Sequence, residues 1–240
     1  MDISFIVPAY NEEKYIKRTL LSIYMAMYHL NMYSYEIIVV NDKSTDKTRE
    51  IVKKMGYPVY DVDHRHLGKV RNSGAKMAKG DILVFVDADT VIKEEVVSEM
   101  LVALENYKFF GCAYGNFSDL DKAPRLHRWL MKLYNPICKH ILKTGCGYFL
   151  WTKRSCFEAA KGFHEDYYLF EDVCLCRELK RIFGHFRFNF GKERVETSGR
   201  KVWTHAFLKR IPALMGRYLL RGKKMFKTRK HLSIWYDGIR

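Results

Sequence analysis

Apolar residues along this chain come in two rhythms. Ile3-Ser4-Phe5-Ile6-Val7 is a nearly unbroken apolar run stopped by Pro8. Ile16, Leu20, Ile23, Met27 and Leu30 then recur at steps of four and three. The first rhythm predicts a buried strand over 3–7, the second a helix with one apolar face. The alternation continues with a strand over 36–40, a helix near 46–55, a short strand over 57–62 and a helix over 68–79. A turn at Gly80-Asp81 leads into a fourth strand over 82–86. Strands and helices that alternate, with apolar strand runs, predict an α/β fold: a mostly parallel central sheet flanked by helices. The second half is more mixed. Strands are expected near 109–115, 144–151 and 185–190, and helices near 125–141, 153–160, 170–182 and past 205. No repeat, low-complexity segment or Pro/Gly/Ser-rich linker divides the chain.

In such sheets a ligand sits beyond the carboxyl ends of the strands. Three of those ends carry polar residues that should converge on one crevice: Pro8-Ala9-Tyr10-Asn11-Glu12, Asn41-Asp42 and Asp87-Ala88-Asp89. If the chain stays extended past 86, Asp87 and Asp89 face the same side. Two carboxylates there suit a hard divalent cation and, through it, a phosphate; a solvated Asp-rich turn is the plainer reading. Asp42 can accept a hydrogen bond from a base N–H, or it can cap the following turn. Gly68, Lys69 and Arg71 open a helix with cations, which suits a diphosphate as well as a solvated basic face.

Composition narrows the class. With 240 residues, 48% hydrophobic and 15% aromatic, the chain has enough apolar content for a full core. Its six cysteines show no zinc-finger spacing and read as reduced thiols. No run of about 18 uncharged apolar residues is present, and Met1-Asp2 opens without a basic leader. A cytoplasmic protein is expected. The net charge is +15, but twelve Lys/Arg against one acid, Asp237, place +11 of it from Arg200 onward and only +4 before. A nucleic-acid-binding protein, the rival class that the charge suggests, would spread cations and aromatics across the body. No nucleic acid is expected. A nicotinamide oxidoreductase would need Gly-x-Gly-x-x-Gly after the first strand, where Pro8-Ala9-Tyr10-Asn11 stands. A sugar-nucleotide pyrophosphorylase would want a Gly-rich basic loop at the same place.

Five segments taken in order resemble family 2 glycosyltransferases: FIVPAYNEE over 5–13, VVNDKSTDKT over 39–48, GKVRNSG over 68–74, Asp87-Ala88-Asp89, and Phe170-Glu171-Asp172-Val173. The resemblance implies the GT-A (nucleotide-diphospho-sugar transferase) fold over one catalytic domain, 1–205. Its halves are a nucleotide-binding part, 1–110, and an acceptor-binding part, 111–205. It implies a metal-dependent, inverting transfer from a UDP- or GDP-sugar. Pro8, Ala9, Tyr10, Glu12, Asp42, Gly68, Lys69, Arg71, Asp87, Ala88 and Asp89 would hold the donor. Asp89 would be the main ligand to Mg or Mn, with Asp87 nearer the ribose and His205 a late third ligand. Asp172 would be the base, with Glu171 as its understudy. Thr197-Ser198-Gly199-Arg200 resembles a segment that closes over the diphosphate, with Arg200 or Lys201 supplying charge, and Gly145–Trp151 the strand beneath the acceptor.

A phosphate nucleophile needs no base, so the Glu-Asp pair favours a hydroxyl acceptor on a glycan or lipid-linked glycan over a polyprenyl phosphate. Residues 206–240 form a basic amphipathic extension, with Phe207, Leu208, Ile211, Leu214 and Tyr218 among its cations. It either contacts an anionic membrane surface at the inner face, as a peripheral segment, or packs on the catalytic body.

Overall fold

A computed structural model describes residues 2–30, 33–118 and 147–199. The helix expected at 125–141, Arg200, Lys201, His205 and the basic extension lie outside the described residues.

The elements are β1 (Ile3–Ala9), α1 (Ile16–His29), β2 (Tyr35–Asn41), α2 (Thr48–Lys54), β3 (Val59–Asp61), α3 (Leu67–Met77), β4 (Ile82–Val86), β5 (Thr90–Val91), α4 (Glu94–Glu105), β6 (Phe110–Phe117), β7 (Phe149–Lys153), α5 (Arg154–Ala159), α6 (Glu171–Phe183) and β8 (Phe188–Thr197). The strands make one sheet in the order β3-β2-β1-β4-β7-β6-β8-β5. The pairs β3-β2-β1-β4 are all parallel, β7 runs antiparallel between β4 and β6, β6 pairs β8 in parallel, and β5 closes the edge antiparallel. The sheet is therefore mixed but mostly parallel.

Two cores lie on its two faces, and the period of two along each strand deals residues between them. Phe5, Val7, Val39, Val84 and Val86 point to the face covered by α1 and α4, where Ile16, Leu20, Ile23, Val97 and Met100 are buried. Ile6, Ile38, Val40, Leu83 and Phe85 point to the other face, covered by α3 and α6 through Val70, Ala75, Leu175 and Leu179. This double coverage is why the strands read as continuous apolar runs. Helix α3 lies close on the sheet: a Cβ added at Gly74 would stand 2.3 Å from Ile6 Cγ2 and 2.9 Å from Val40 Cγ2.

Three departures from the sequence reading have physical reasons. Pro8 does not stop β1: pairing with β4 ends at Ile6, but pairing with β2 runs on through Pro8 to Ala9. Past Ile6 the strand is paired on one side only, where a residue without an N–H is tolerated. Helix α4, absent from the elements expected from sequence, carries Val96, Val97, Met100, Leu101 and Leu104 at helical spacing on its buried side. The strand expected near 185–190 begins at Phe188 and runs to Thr197, because Gly184 (φ 85) and a single 3-10 turn over His185–Arg187 follow α6 first.

Candidate active site

The parallel register puts the ends of β1 and β2 side by side. Ala9 lies opposite Asn41, and Asp42 N donates to the Ala9 carbonyl at 2.8 Å. The loops that follow are laced together by side-chain bonds to backbone. Asn11 N donates to Ser44 Oγ (3.0 Å), Glu12 N to Thr48 Oγ1 (2.7 Å), and Thr45 N to Asn11 Oδ1 (2.8 Å). Asp46 accepts from Glu13 N and from Thr48 N, so it, and not Asp42, closes the turn into α2. The Glu12 carbonyl accepts from Tyr15 N and Ile16 N and so starts α1. Asn41 ties the end of β3 through Nδ2 to Asp61 Oδ1 at 2.8 Å.

Asp42 is buried, and its Oδ1 accepts from His64 N at 2.7 Å and Arg65 N at 3.2 Å. The carboxylate is thereby aimed by backbone donors, not by α2. Beside it the Arg65 guanidinium lies 3.9 Å from the centre of the half-buried Tyr10 ring. Asn11, Lys43 and Arg65 all take left-handed φ values, 52, 56 and 48. Such strain at one crevice rim is a mark of functional loops.

The second cluster is organised by Arg71, whose side chain is 2% exposed. From α3 its Nη1 donates to Glu171 Oε1 at 2.8 Å, and its Nη2 to Asp87 Oδ1 at 2.8 Å and to the Gly147 carbonyl at 3.1 Å. The ring of Phe163 lies 5.3 Å from the guanidinium carbon. A Cβ at Gly147 would stand 2.9 Å from Arg71 Nη2 and 3.1 Å from Asp172 Oδ2, so the backbone passes where no side chain fits. Burial and the Asp87, Glu171 and Asp172 charges act on one cation, and the carboxylates outnumber it.

That imbalance shifts the acids. Burial, assisted by the neighbouring Asp172 and Asp87 charges and opposed by Arg71, pushes the Glu171 carboxyl up to about 7. Asp172 is also raised, chiefly by burial, against the pull of Arg71 and of the Val173 N–H. Asp172 is half-buried while Glu171 is 5% exposed; Asp172 Oδ1 accepts from Val173 N at 2.7 Å, and the Gly147 N–H also bonds its carboxylate. Of the pair, Glu171 faces inward to the guanidinium and Asp172 is the one open to a ligand. Both sit in the first turn of α6, whose N-terminus favours their ionised forms.

The remaining residues singled out from sequence are distributed as follows. Asp87 and Asp89 are half-buried just past β4, and Ala88, buried between them, accepts a bond from Thr19 Oγ1 through its carbonyl at 2.8 Å. Pro8 and Ala9 are buried in β1. Glu12 is buried in the turn before α1. Gly68 and Lys69 are in the first turn of α3, which His66 caps by accepting from Lys69 N at 3.4 Å. A Cβ at Gly68 would meet the His164 carbonyl at 3.2 Å and the His66 ring at 3.3 Å, so this glycine admits protein backbone. Sequence reasoning missed Arg71 as the hub, Gly147 and Asn72. Asn72 holds the turn before α6: its Nδ2 donates to the Phe163 carbonyl and its Oδ1 accepts from Phe163 N, each at 2.9 Å. An Arg followed by a small amide, on a helix whose next turn carries Gly74, was the available signal.

Among the described residues no three His, Cys, Asp or Glu side chains form a metal cage. Asp87 and Asp89 are the carboxylates that could hold an ion shared with a diphosphate, since Mg typically takes one or two carboxylates and completes its shell with water and phosphate.

The profile of "Glycosyl transferase family 2" matches residues 4–160. The chain is 34% identical over 113 residues to poly(ribitol-phosphate) beta-N-acetylglucosaminyltransferase TarS of Staphylococcus aureus (strain Mu50 / ATCC 700699), a match covering 45% of this chain and 19% of TarS. It is 34% identical over 111 residues to the dolichol-phosphate mannosyltransferase of Pyrococcus furiosus, covering 44% of this chain and 31% of that protein. These matches thus span less than a third of either relative. The crystal structure of S. aureus TarS 1-349 in complex with UDP-GlcNAc superposes with a TM-score of 0.63 at 20% identity, over 82% of this chain and 58% of that one. The mannosyltransferase PcManGT from Pyrobaculum calidifontis, in complex with GDP-Man and Mn2+, superposes with a TM-score of 0.63 at 17% identity, over 98% and 68%. The fold is GT-A.

Proposed function

The chain belongs to glycosyl transferase family 2, and on that premise we propose that it moves a sugar from a UDP- or GDP-sugar to a hydroxyl acceptor on a glycan or lipid-linked glycan. The observation that supports this most is the division of labour around Arg71. Asp87 and Glu171 are held by its guanidinium, while Asp172 is left half-buried with a raised carboxyl and backbone donors.

Asp172 is the base. It takes the proton of the acceptor hydroxyl as that oxygen forms its bond to C1 of the sugar; the bond from C1 to the diphosphate oxygen breaks on the opposite face, and the configuration inverts. Glu171 does not compete for the proton, because Arg71 and burial hold it inside. Its part is to fix Arg71, and through Arg71 the positions of Asp87 and of the Gly147 backbone. The raised carboxyl makes Asp172 a stronger base once ionised than an ordinary aspartate.

The donor lies across the strand ends. Asp42, aimed by the N–H groups of His64 and Arg65, accepts a base N–H, beside the Tyr10 ring that Arg65 covers. Lys69 is close enough in sequence to the helix start to offset diphosphate charge. Asp89, with Asp87, would hold Mg or Mn together with the diphosphate, and His205 would be a further ligand. When bound, the ion supplies neutralisation of the charge that grows on the departing diphosphate.

No helix among the described residues is long and apolar enough to cross a membrane. A peripheral contact with anionic lipid through residues 206–240 remains part of this reading, and suits a lipid-linked acceptor.

The test is a screen of UDP- and GDP-sugars for Mn-dependent turnover, followed by Asp172→Asn. The variant should bind the nucleotide sugar as wild type does and transfer at least about a hundredfold more slowly. Transfer at the wild-type rate refutes the base assignment and favours a phosphate acceptor, such as a polyprenyl phosphate, which is already a nucleophile.

A further inference from the structure

Helix α1 is apolar on both sides. Its inward face buries Ile16, Leu20, Ile23, Ala26 and Met27. Its outward face carries Leu21, Tyr24, Met25 and Tyr28, which are 41–63% exposed. Positions i, i+3, i+4 and i+7 lie on one side of a helix, so the four make one stripe. The other large apolar side chains exposed among the described residues are scattered over several elements. A continuous apolar stripe on a surface marks a place of contact.

The charge around the stripe has one sign. Lys17, Arg18 and His29 stand exposed on α1, and the helix has no Asp or Glu. Arg18 pairs with Glu196 at 3.1 Å; Lys17 lies on the stripe itself, one turn before Leu21. Helix α2, in contact with α1, adds Lys53 and Lys54 in its last turn against Glu50 in its first. The rings of Tyr24 and Tyr28 stand 6.0 Å apart. Burial raises the Tyr35 phenol and the neighbouring Tyr24 raises it further; Tyr57 is raised by burial and then by Tyr35 and Tyr24, so these rings adjoin the stripe. Helix α4, on the same face of the sheet, is the reverse. It exposes Glu94, Glu95 and Glu105, with Val102 as its one exposed large apolar side chain.

We propose that the outward face of α1 rests on an anionic lipid surface, with Leu21, Tyr24, Met25 and Tyr28 entering the headgroup region and Lys17 meeting lipid phosphate. A helix lying in that plane is held by apolar burial and by attraction of its cations to the headgroups together. Tyrosine suits the depth, since its ring is apolar and its hydroxyl stays wet. A second copy of the chain fits less well. Packing α1 on α1 strips Lys17 of water with no acid opposite, and packing α1 on α4 meets acids but almost no apolar surface. The contact deepens the reading of a lipid-linked acceptor, on which its purpose rests. Helix α1 starts from the Glu12 carbonyl at the crevice rim, and its Thr19 bonds the Ala88 carbonyl between Asp87 and Asp89. The helix that meets lipid is thereby anchored to the site.

The test sediments the full chain with sucrose-loaded vesicles, without donor or acceptor. Wild type should bind vesicles of equal parts phosphatidylglycerol and phosphatidylcholine, and bind pure phosphatidylcholine about tenfold more weakly. The double variant Leu21→Gln, Tyr28→Gln should weaken binding to the anionic vesicles by about tenfold, with the thermal midpoint kept because both side chains are exposed. Lys17→Glu should weaken it by about fivefold or more, and Met25→Trp should tighten it. Wild type that ignores anionic vesicles or binds both kinds alike overturns the proposal. So does a double variant that binds as wild type does, which puts the lipid contact on another segment such as 206–240. A wild-type dimer in sedimentation velocity that becomes monomeric in the double variant also overturns it, and gives the stripe to a second copy. Failure here is separable from failure of the transfer reading. If vesicle binding depends on α1 while Asp172→Asn transfers normally, only the base is wrong. If Asp172→Asn is inert and α1 is indifferent to vesicles, only the lipid surface is wrong.

Discussion

Arg71 Nη1 reaches Glu171 Oε1 at 2.8 Å across 100 positions of sequence. This contact joins the first half of the chain to the second, because Arg71 lies on α3 and Glu171 opens α6. The same guanidinium reaches Asp87 at the end of β4. A buried cation shared by carboxylates from two distant segments makes the geometry of those segments interdependent.

Removing that cation should be costly. Arg71→Ala leaves Asp87, Glu171 and Asp172 facing one another without a counter-charge, and breaking a buried pair in this way costs about 3–5 kcal/mol. Arg71→Lys is not conservative, since one ammonium cannot donate in a planar fork to both carboxylates. Urea denaturation at neutral pH should show a large loss for the alanine variant and a smaller one for the lysine variant. Both should lose transfer. Wild-type stability in Arg71→Ala would mean that the pair is not formed in solution.

Glu171 should make stability fall with rising pH. Its folded carboxyl is raised to about 7 from an ordinary 4.5. Between those values the native state binds more protons than the unfolded state, so the slope of unfolding free energy against pH is negative. The protonated-state advantage is complete below 4.5 and lost as pH rises through 7. Glu171→Gln keeps a neutral group there at every pH. It should therefore be more stable than wild type at pH 8, by an amount on the order of 1 kcal/mol, with the difference shrinking by pH 5. Paired urea melts at the two pH values check it; a gap that widens toward pH 5 has the wrong sign.

Asn72 should act at a distance from the chemistry. Its amide both donates to and accepts from the backbone of Phe163. Asn72→Ala leaves the Phe163 N–H without that acceptor, at a cost of about 1–3 kcal/mol, and loosens the turn that leads to Glu171. Thermal denaturation should report the loss. Turnover should fall while UDP binding, measured by calorimetry, stays near the wild-type value.

Asp42 separates aiming from recognition. Its Oδ1 is taken by two backbone N–H groups. Asp42→Asn keeps an oxygen for them but replaces the other oxygen with a donor, which a base N–H cannot use. The variant should fold with wild-type stability and bind UDP about tenfold or more weakly. Equal affinity for UDP would take the base contact away from this residue.

Much of this was legible in the order of residues, and what was not has common causes. The strands ending at Ala9, Asn41 and Val86 were visible because burial on both faces writes unbroken apolar runs. Their polar ends could be placed in one crevice from topology alone. Arg71, by contrast, looked like a cation for a diphosphate because sequence shows charge but not direction. Its partners are 16 and 100 positions away, and nothing local reveals that it faces inward. Glu171 and Asp172 likewise read as a base and its understudy on resemblance alone, with nothing in the residue order to say which faces inward. Only the packing of α6 against α3 turns one to the guanidinium and leaves the other half-buried.

Asp87 and Asp89 should fail in different ways when removed, for the same reason. Asp87 Oδ1 is bonded to the buried Arg71, so Asp87→Ala takes away half of that cation's compensation. Asp89 is half-buried at the same strand end, and the proposed ion draws on its carboxylate. Asp89→Ala should thus lose the enhancement of UDP binding by Mn. Asp87→Ala should lose stability, on the order of 1–3 kcal/mol, whether or not Mn is present. Calorimetric titration of UDP with and without Mn, run beside urea melts, distinguishes them. If Asp89→Ala retains full Mn enhancement while Asp87→Ala loses it at unchanged stability, the two roles are reversed.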